Sequence, residues 1–371
     1  MKNFISKING VKSYTIIFDH ELDGGTKLFR QRKVQDLLSN DAAVLLILSN
    51  DRISNESVIL QLVQNKVAPE SHITNTRELF IFLNSINPQN IEINSLVTYR
   101  PFMLFLSNLH TYLKNIGPKK LNIAFHDYYP ICPSFNLLNS KWQYCHVPEN
   151  SVCRQCRPKH FSGMLKDKNI ENWRPLWQSI LNLSTDITVF SNSSLTIVKK
   201  AFHDVDAKLR LVPHSMKYFT HQEIIIAPSL KLNIGVIGHI TKAKGADVLK
   251  QLGEYISENK INADIIVFGQ LKEQNRTSNT IVLGPYELNQ LANNIQSNNV
   301  NVMFMPSICP ETFSYATEEL MALALPIVSF NLGAQGEKIS NYKNGTTIST
   351  KSSSEEILSV LKVSSICRAN S

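Results

Sequence analysis

The chain has no long hydrophobic run. Its longest, "AAVLLIL" at 42–48, falls far short of the roughly 20 apolar residues that a membrane-spanning helix needs. The N-terminus carries charge but no apolar h-region or small-residue cleavage site, so a secretory leader is not expected. No internal repeat of roughly 20–50 residues appears, which argues against solenoids and propellers. The one biased tract is the short "TKSSSEE" before the last helical stretch. Six cysteines in 371 residues are too few for a disulfide scaffold. The net charge of +8 has no dense focus: "FRQRK" (29–33) and "GPKK" (117–120) are its longest patches. With no nucleic-acid motif beside them, no nucleic-acid partner is expected. The charge instead favours an anionic ligand, such as a nucleotide, a phosphorylated acceptor or a membrane surface.

What is present is an ordinary globular composition, 43% hydrophobic and 18% charged, in a chain long enough for two domains. Apolar runs of strand length alternate with helical spacing almost throughout. In the first half "SYTIIF" (13–18), "AAVLLIL" (42–48), "SVILQLV" (57–63), "IEINSLV" (91–97), "LNIAF" (121–125) and "DITVF" (186–190) read as buried strands, with helices over 26–39, 75–85, 102–115 and 192–202. In the second half "LNIGVIG" (232–238), "ADIIVFG" (263–269), "NTIVLG" (279–284), "NVMFMP" (301–306) and "LPIVSF" (325–330) alternate with helices over 245–259, 286–297 and 314–324. Residues 214–231 have no sustained period and read as a linker. The expected class is α/β: two Rossmann-like, doubly wound parallel-sheet domains, 1–213 and 232–371, facing across a cleft where the strands' carboxyl ends meet a ligand.

Two stretches carry chemistry. "PETFSYATEELMALALPIVSF" (310–330) sets Glu311 just before a helix expected to start near Phe313 or Ser314, and Glu319 inside that helix. Free N–H groups at such a start make a site for a diphosphate, and a carboxylate can accept two hydrogen bonds from a vicinal diol. The plainer reading is a dipole-stabilising Glu311 and a solvated Glu319. "IGHITKAKGADVL" (237–249) ends a strand at Gly238, continues through His239, Lys242 and Lys244, and opens a helix at Gly245. That is a phosphate-binding arrangement.

Together with "GAQGE" (333–337), these stretches resemble the donor-binding domain of glycosyltransferase family 4, retaining enzymes of the GT-B fold that use nucleotide sugars. The Glu-x7-Glu signature falls on Glu311 and Glu319, so Glu318 is not the motif residue. "FDHELDGGTKLFRQRKVQDLL" (18–38) resembles the family's glycine loop, and "AFHDYYPICPSFNLL" (124–138) its histidine-bearing segment. "DITVFSNSSLTIVKKAF" (186–202) and "LRLVPHSM" (209–216) resemble the elements that lead out of the first domain, and the resemblance spans residues 13 to 349. It implies that Glu311 contacts sugar hydroxyls, Glu319 the ribose, and Lys244 the diphosphate. Thr312, Phe313 and Ser314 would line the helix start. Gly24 and Gly25 would let backbone approach phosphate and acceptor, and His126 would sit beside the anomeric carbon. No catalytic metal is implied. Relatives place an arginine where this chain has His239; Lys242 is expected to take over its charge.

A Cys-x2-Cys end in the insertion 131–160 makes Cys132, Cys145, Cys153 and Cys156 candidate ligands of a structural zinc, with His146 or His160 able to replace one. The plainer alternative is small apolar packing. The "DVD" at 204–206 reads as a solvated turn, and Tyr128 and Tyr129 as core residues that could otherwise stack on a sugar. The resulting expectation is a cytoplasmic, membrane-peripheral glycosyltransferase. It would move a hexose or deoxyhexose from a nucleoside diphosphate sugar to a glycan or lipid-linked acceptor in polysaccharide synthesis. The alternatives are a non-catalytic nucleotide- or glycan-binding module of a larger protein, favoured by His239 and the short end "LKVSSICRANS", or another GT-B enzyme such as an epimerase.

Overall fold

The computed structural model describes residues 2–366 apart from 12, 50–56, 66, 118, 157–169, 220, 221, 223 and 225–228. His160, His221 and Cys367 therefore lie outside the described residues. The chain divides into two compact units, Met1–Leu137 with His146–His214, and Leu138–Cys145 with Ser215–Ser371. The insertion at 131–160, expected wholly in the first half, is thus split: its middle clusters with the second unit.

The first unit runs α1 (Lys2–Asn9), β1 (Tyr14–His20), α2 (Gly25–Ser39), β2 (Ala43–Ser49), β3 (Ser57–Gln64), β4 (Val67–Asn75), α3 (Thr76–Leu83), β5 (Asn90–Ile93), α4 (Phe102–Asn115) and β6 (Lys120–Ala124). It continues with α5 (Asn150–Cys153), α6 (Ile170–Leu183), β7 (Asp186–Val189), α7 (Asn192–Ala201) and β8 (Leu209–Leu211). These strands form one sheet in the order β4-β3-β2-β1-β5-β6-β7-β8. β1 and β2 are buried along their whole length, as parallel strands covered on both faces must be.

The expected strand at 57–63 exists, but it pairs antiparallel with β2 and alternates between buried and half-exposed positions. β4 then pairs antiparallel with β3. It gave no strand signal because it is mostly exposed and holds Pro69, which an edge strand tolerates. α6 was hidden by Pro175 within it; Trp173, Trp177, Ile180 and Leu181 nonetheless bury one of its faces. Tyr128 and Tyr129 are core residues, each 1% exposed. The Tyr128 hydroxyl shares a 3.0 Å hydrogen bond with Ser194 Oγ.

The second unit runs β9 (Leu232–Ile240), α8 (Ala246–Glu258), β10 (Ala263–Leu271), β11 (Thr280–Gly284), α9 (Leu291–Ser297), β12 (Val302–Met305), α10 (Tyr315–Ala322), β13 (Ile327–Phe330), α11 (Gly333–Ser340), β14 (Gly345–Ile348) and α12 (Ser354–Ile366). The sheet order β11-β10-β9-β12-β13-β14, parallel throughout, is the doubly wound order with its switch point between β9 and β12. Alternate strand residues feed opposite layers. Ile234, Val236, Ile265, Val267, Val302 and Phe304 pack with Leu249, Leu252 and Leu361. Ile237, Ile266, Phe268, Met303 and Ile327 pack with Leu291, Leu320 and Ile339. The helix expected from 286 starts later, after a single tight turn at Leu288–Gln290, which leaves Tyr286 in a loop.

Ile265 is fully buried in the central layer. Ile265→Ala should lower the free energy of urea unfolding by about 2–5 kcal/mol with little change in the denaturant slope.

Candidate donor-binding site of the second unit

The carboxyl end of β9 leads into a tight loop. Gly238 has φ +106° with open space where a Cβ would project, and His239 beside it is exposed. The loop closes through Lys244 N–H to Thr241 O and Gly245 N–H to Lys242 O, both 3.0 Å. Gly245 opens α8 at φ +87°, and a Cβ there would lie 2.1 Å from Pro306 O, so only glycine fits. Ile308 N–H donates to Ala243 O at 3.0 Å. The loops after β9 and β12 are therefore stitched together at the switch point.

That stitching brings Lys244 and Glu311 together. Lys244 Nζ lies 2.6 Å from Glu311 Oε1, the lysine side chain 42% exposed and the glutamate 10%. Ser307 Oγ donates to the same Oε1 at 2.6 Å. The backbone is held as firmly: Gln335, fully buried in α11, accepts from Glu311 N–H at 3.0 Å and donates to Cys309 O at 2.9 Å. Burial pushes the Glu311 carboxyl upward, but the Lys244 charge and hydrogen bonds from Lys244, Ser307 and Ser314 outweigh it and hold the pKa below the ordinary value. Burial opposes the Lys244 charge, and the Glu311 carboxylate overcomes it, leaving the lysine pKa raised.

Ser314 caps α10 in the left-handed region, φ +64°, a conformation few non-glycine residues hold without support. Support comes from its hydroxyl, 2.8 Å from Thr317 Oγ1. Phe313 is buried, with Tyr315 edge-on at 5.0 Å and the Lys338 ammonium 3.3 Å from its ring centroid. Thr312 joins this segment to Glu311. Glu318 pairs with Lys338 at 2.6 Å. Its neighbour Glu319 is 8% exposed, with Tyr286 OH donating to Oε2 at 3.3 Å. Burial is the larger influence, so the Glu319 pKa is raised despite that hydrogen bond. One helix start thus holds two carboxylates in opposite electrostatic states.

Lys242 is engaged elsewhere: it pairs with Asp247 at 2.8 Å and lies 4.8 Å from the Trp142 ring centroid. Within the described contacts, the lysine expected to replace the missing arginine pairs with that half-exposed acid.

Gly24, Gly25 and His126 belong to the first unit. Gly24 caps α2 at φ +130° with nothing near a would-be Cβ, and Gly25 is the first residue of α2. His126 sits among Phe29 (4.6 Å), Phe190 (4.5 Å) and His214 (5.4 Å, stacked). Burial, then the neighbouring His214 and His20, press its pKa well below the usual value, so the ring is neutral at physiological pH. Sequence reasoning missed the group beneath the glycine loop. Arg30 of α2 donates to His20 O (2.5 Å) and Glu21 Oε1 (2.8 Å) and lies 3.6 Å from Asp19. Burial pushes fully buried Asp19 up to about 7 and Asp127, which accepts from Ser95 Oγ at 2.6 Å, up to about 6. Ser307, Gln335 and Tyr286 were missed in the second unit. Of these only Tyr286 had a local signal, following the strand-ending Gly284.

The zinc expectation finds no support among the described residues. Among the described residues no group of three or more His, Cys, Asp or Glu side chains is placed to hold a metal ion. Cys145 clusters with the second unit while Cys132, Cys153 and Cys156 belong to the first. Cys132 Sγ is 3.4 Å from Ser134 Oγ, and Cys153 Sγ accepts from Arg174 at 3.5 Å. Burial raises the Cys153 pKa, which disfavours the thiolate that zinc requires.

Residues 220–365 match the family model described as "Glycosyl transferases group 1". No curated protein matches the chain by sequence. Among solved structures, sucrose-phosphate synthase from Thermosynechococcus elongatus superposes with a TM-score of 0.59 at 12% identity, over 95% of this chain and 90% of that one. Anabaena HepE in complex with UDP-glucose gives 0.55 at 14%, over 94% and 89%. The lipopolysaccharide outer core galactosyltransferase WaaB in its apo form gives 0.55 at 11%, over 95% and 91%. Two doubly wound α/β units with these neighbours define the GT-B fold, and the glycosyl transferases group 1 match falls within the second unit.

Because the folded-state pKa of Glu311 is depressed, its pairing contributes stability above the unfolded carboxylate pKa, about 4.3, and that contribution is lost as pH falls through the folded value. Lys244→Met should cost about 1–3 kcal/mol at pH 7, less than the 3–5 typical of a buried pair because Lys244 is partly exposed. In urea titrations from pH 7 down to pH 3 the gap between the two proteins should close.

Proposed function

We propose that the chain is a retaining glycosyltransferase that moves a hexose or deoxyhexose from a nucleoside diphosphate sugar to a glycan or lipid-linked acceptor, in surface polysaccharide synthesis. The observation that carries the reading is the Lys244–Glu311 pair at the switch point of the second sheet, within the segment that matches the glycosyl transferase model. HepE is similar in fold and binds UDP and UDP-glucose, which supports a nucleoside diphosphate sugar as the donor class.

The roles follow from charge. When the glycosyl–phosphate bond breaks, its electron pair leaves with the diphosphate oxygen and the sugar acquires oxocarbenium character. Lys244 and the start of α10 stabilise the departing negative charge. Glu311, kept ionised, accepts from sugar hydroxyls near the developing positive charge. The acceptor hydroxyl adds to the same face of the sugar, and its proton passes to the released phosphate oxygen. Glu319 accepts from the ribose. Neutral His126, in the first unit, is suited to hydrogen bonding rather than to carrying charge. No step requires a metal ion. The basic balance of +8 supports a cytoplasmic, membrane-peripheral setting with an anionic or lipid-diphosphate-linked acceptor. No helix among the described residues is long and apolar enough to cross a membrane.

One observation favours the non-catalytic module: Lys242 pairs with Asp247, and among the described ion pairs Glu311 is met by Lys244. A panel of nucleoside diphosphate sugars separates the readings. An enzyme shows a donor-dependent rise in melting temperature together with slow release of nucleoside diphosphate, abolished in Lys244→Met. A module shows the rise without release in any acceptor mixture. Silence across the panel in both assays rejects both.

Glu319 gives a second measurement. Its raised folded-state pKa means that ionisation at neutral pH opposes folding. Glu319→Gln should therefore raise the melting temperature of the free protein by a few degrees, an effect of about 1 kcal/mol, while losing most of the donor-induced shift.

A further inference from the structure

Glu319 is buried with a single side-chain hydrogen bond, from a neutral hydroxyl at 3.3 Å, and no cation pairs with it among the described contacts. A carboxylate has about four acceptor directions, and a charge taken from water with most of them unfilled is not a self-sufficient structural device. The remaining directions call for donors from outside the chain. Tyr286, which supplies the one bond, follows the end of β11, where Gly284 turns at φ +86°. Its ring packs against the cluster that includes Leu291, Leu320 and Leu323. Leu320 and Leu323 flank Glu319 on the same stretch of chain, so ring and carboxylate share one rigid frame.

We infer that Tyr286 is a positioning residue, whose hydroxyl fixes the Glu319 carboxylate to receive the two hydroxyls of a ribose and so makes the site selective for ribonucleotides over 2′-deoxyribonucleotides. The inference rests on the nucleotide-sugar reading above and deepens it. The anchored ring fixes its OH, and that OH holds Oε2 in place, leaving Oε1 and the free direction of Oε2 for the diol. The hydroxyl also stabilises the ionised carboxylate, which burial opposes, so it sets the pH at which the diol can be bound.

The test uses the full chain and calorimetric titration with UDP, GDP and ADP, each against its 2′-deoxy counterpart, from pH 5 to pH 8. The expected result is tight binding of at least one ribonucleotide by the native protein, with the deoxy form about tenfold weaker or more. In Tyr286→Phe, which keeps the packed ring, that ratio should fall to threefold or less, and the acid limit of binding should move to higher pH. Glu319→Gln, of the same shape without the charge, should abolish both the ratio and the acid limit, and serves should the tyrosine variant not fold. Equal affinity of the native protein for ribo and deoxy forms would overturn the inference. So would a Tyr286→Phe protein with the native ratio and pH profile, or, where that variant does not fold, a Glu319→Gln protein with the native ratio. Native protein that binds none of the six nucleotides rejects the functional reading and the inference with it. Binding with an unchanged variant rejects the inference alone.

Discussion

The chemistry proposed for the second unit depends on one contact, the 2.6 Å pair between Lys244 and Glu311. Its partners arrive on loops from β9 and β12, strands that are neighbours only because the sheet reverses its winding between them. Three features hold the loops in place: the Ile308–Ala243 backbone bond, a glycine at 245 that lets Pro306 approach, and a buried Gln335 that fixes Glu311 from behind. Remove that frame and the lysine and glutamate are two surface charges with little to say to each other.

The same segment shows how environment separates two residues of one type. Glu311 has a cation and a serine hydroxyl on one oxygen and is kept ionised. Among the described contacts Glu319 has a tyrosine hydroxyl and no cation, so burial governs it. Neighbours that push like groups in opposite directions are the usual sign of different tasks. Here the first is suited to a region of changing charge. In the proposed reading the second meets neutral hydroxyls that repay its desolvation when a ligand is bound. The stability lost at Glu319 is the kind that proteins tolerate at sites of function.

The first unit is arranged on the same plan, with its charged groups underneath rather than at the surface. Arg30 reaches back from α2 to His20, Glu21 and Asp19, anchoring the loop that contains Gly24 and Gly25. His126 is held neutral between phenylalanine rings and His214.

Most strands and helices were legible in the residues because their periodicity is local: buried runs such as "AVLLILS" and "IVSF" have few alternatives. β4 and α6 were not, since an exposed edge strand has no apolar rhythm and a proline in a helix imitates a boundary. The spacing of Glu311 and Glu319, and the glycine–lysine loop after β9, are properties of the chain itself, because the backbone carries them wherever it folds. Which lysine meets Glu311, that Lys242 turns to Asp247, and that Glu318 is neutralised by Lys338 were decided only by tertiary structure. Each depends on side chains distant in sequence meeting in space, and on a local burial that turns identical carboxylates into unlike ones; neither quantity is written in the order of the residues.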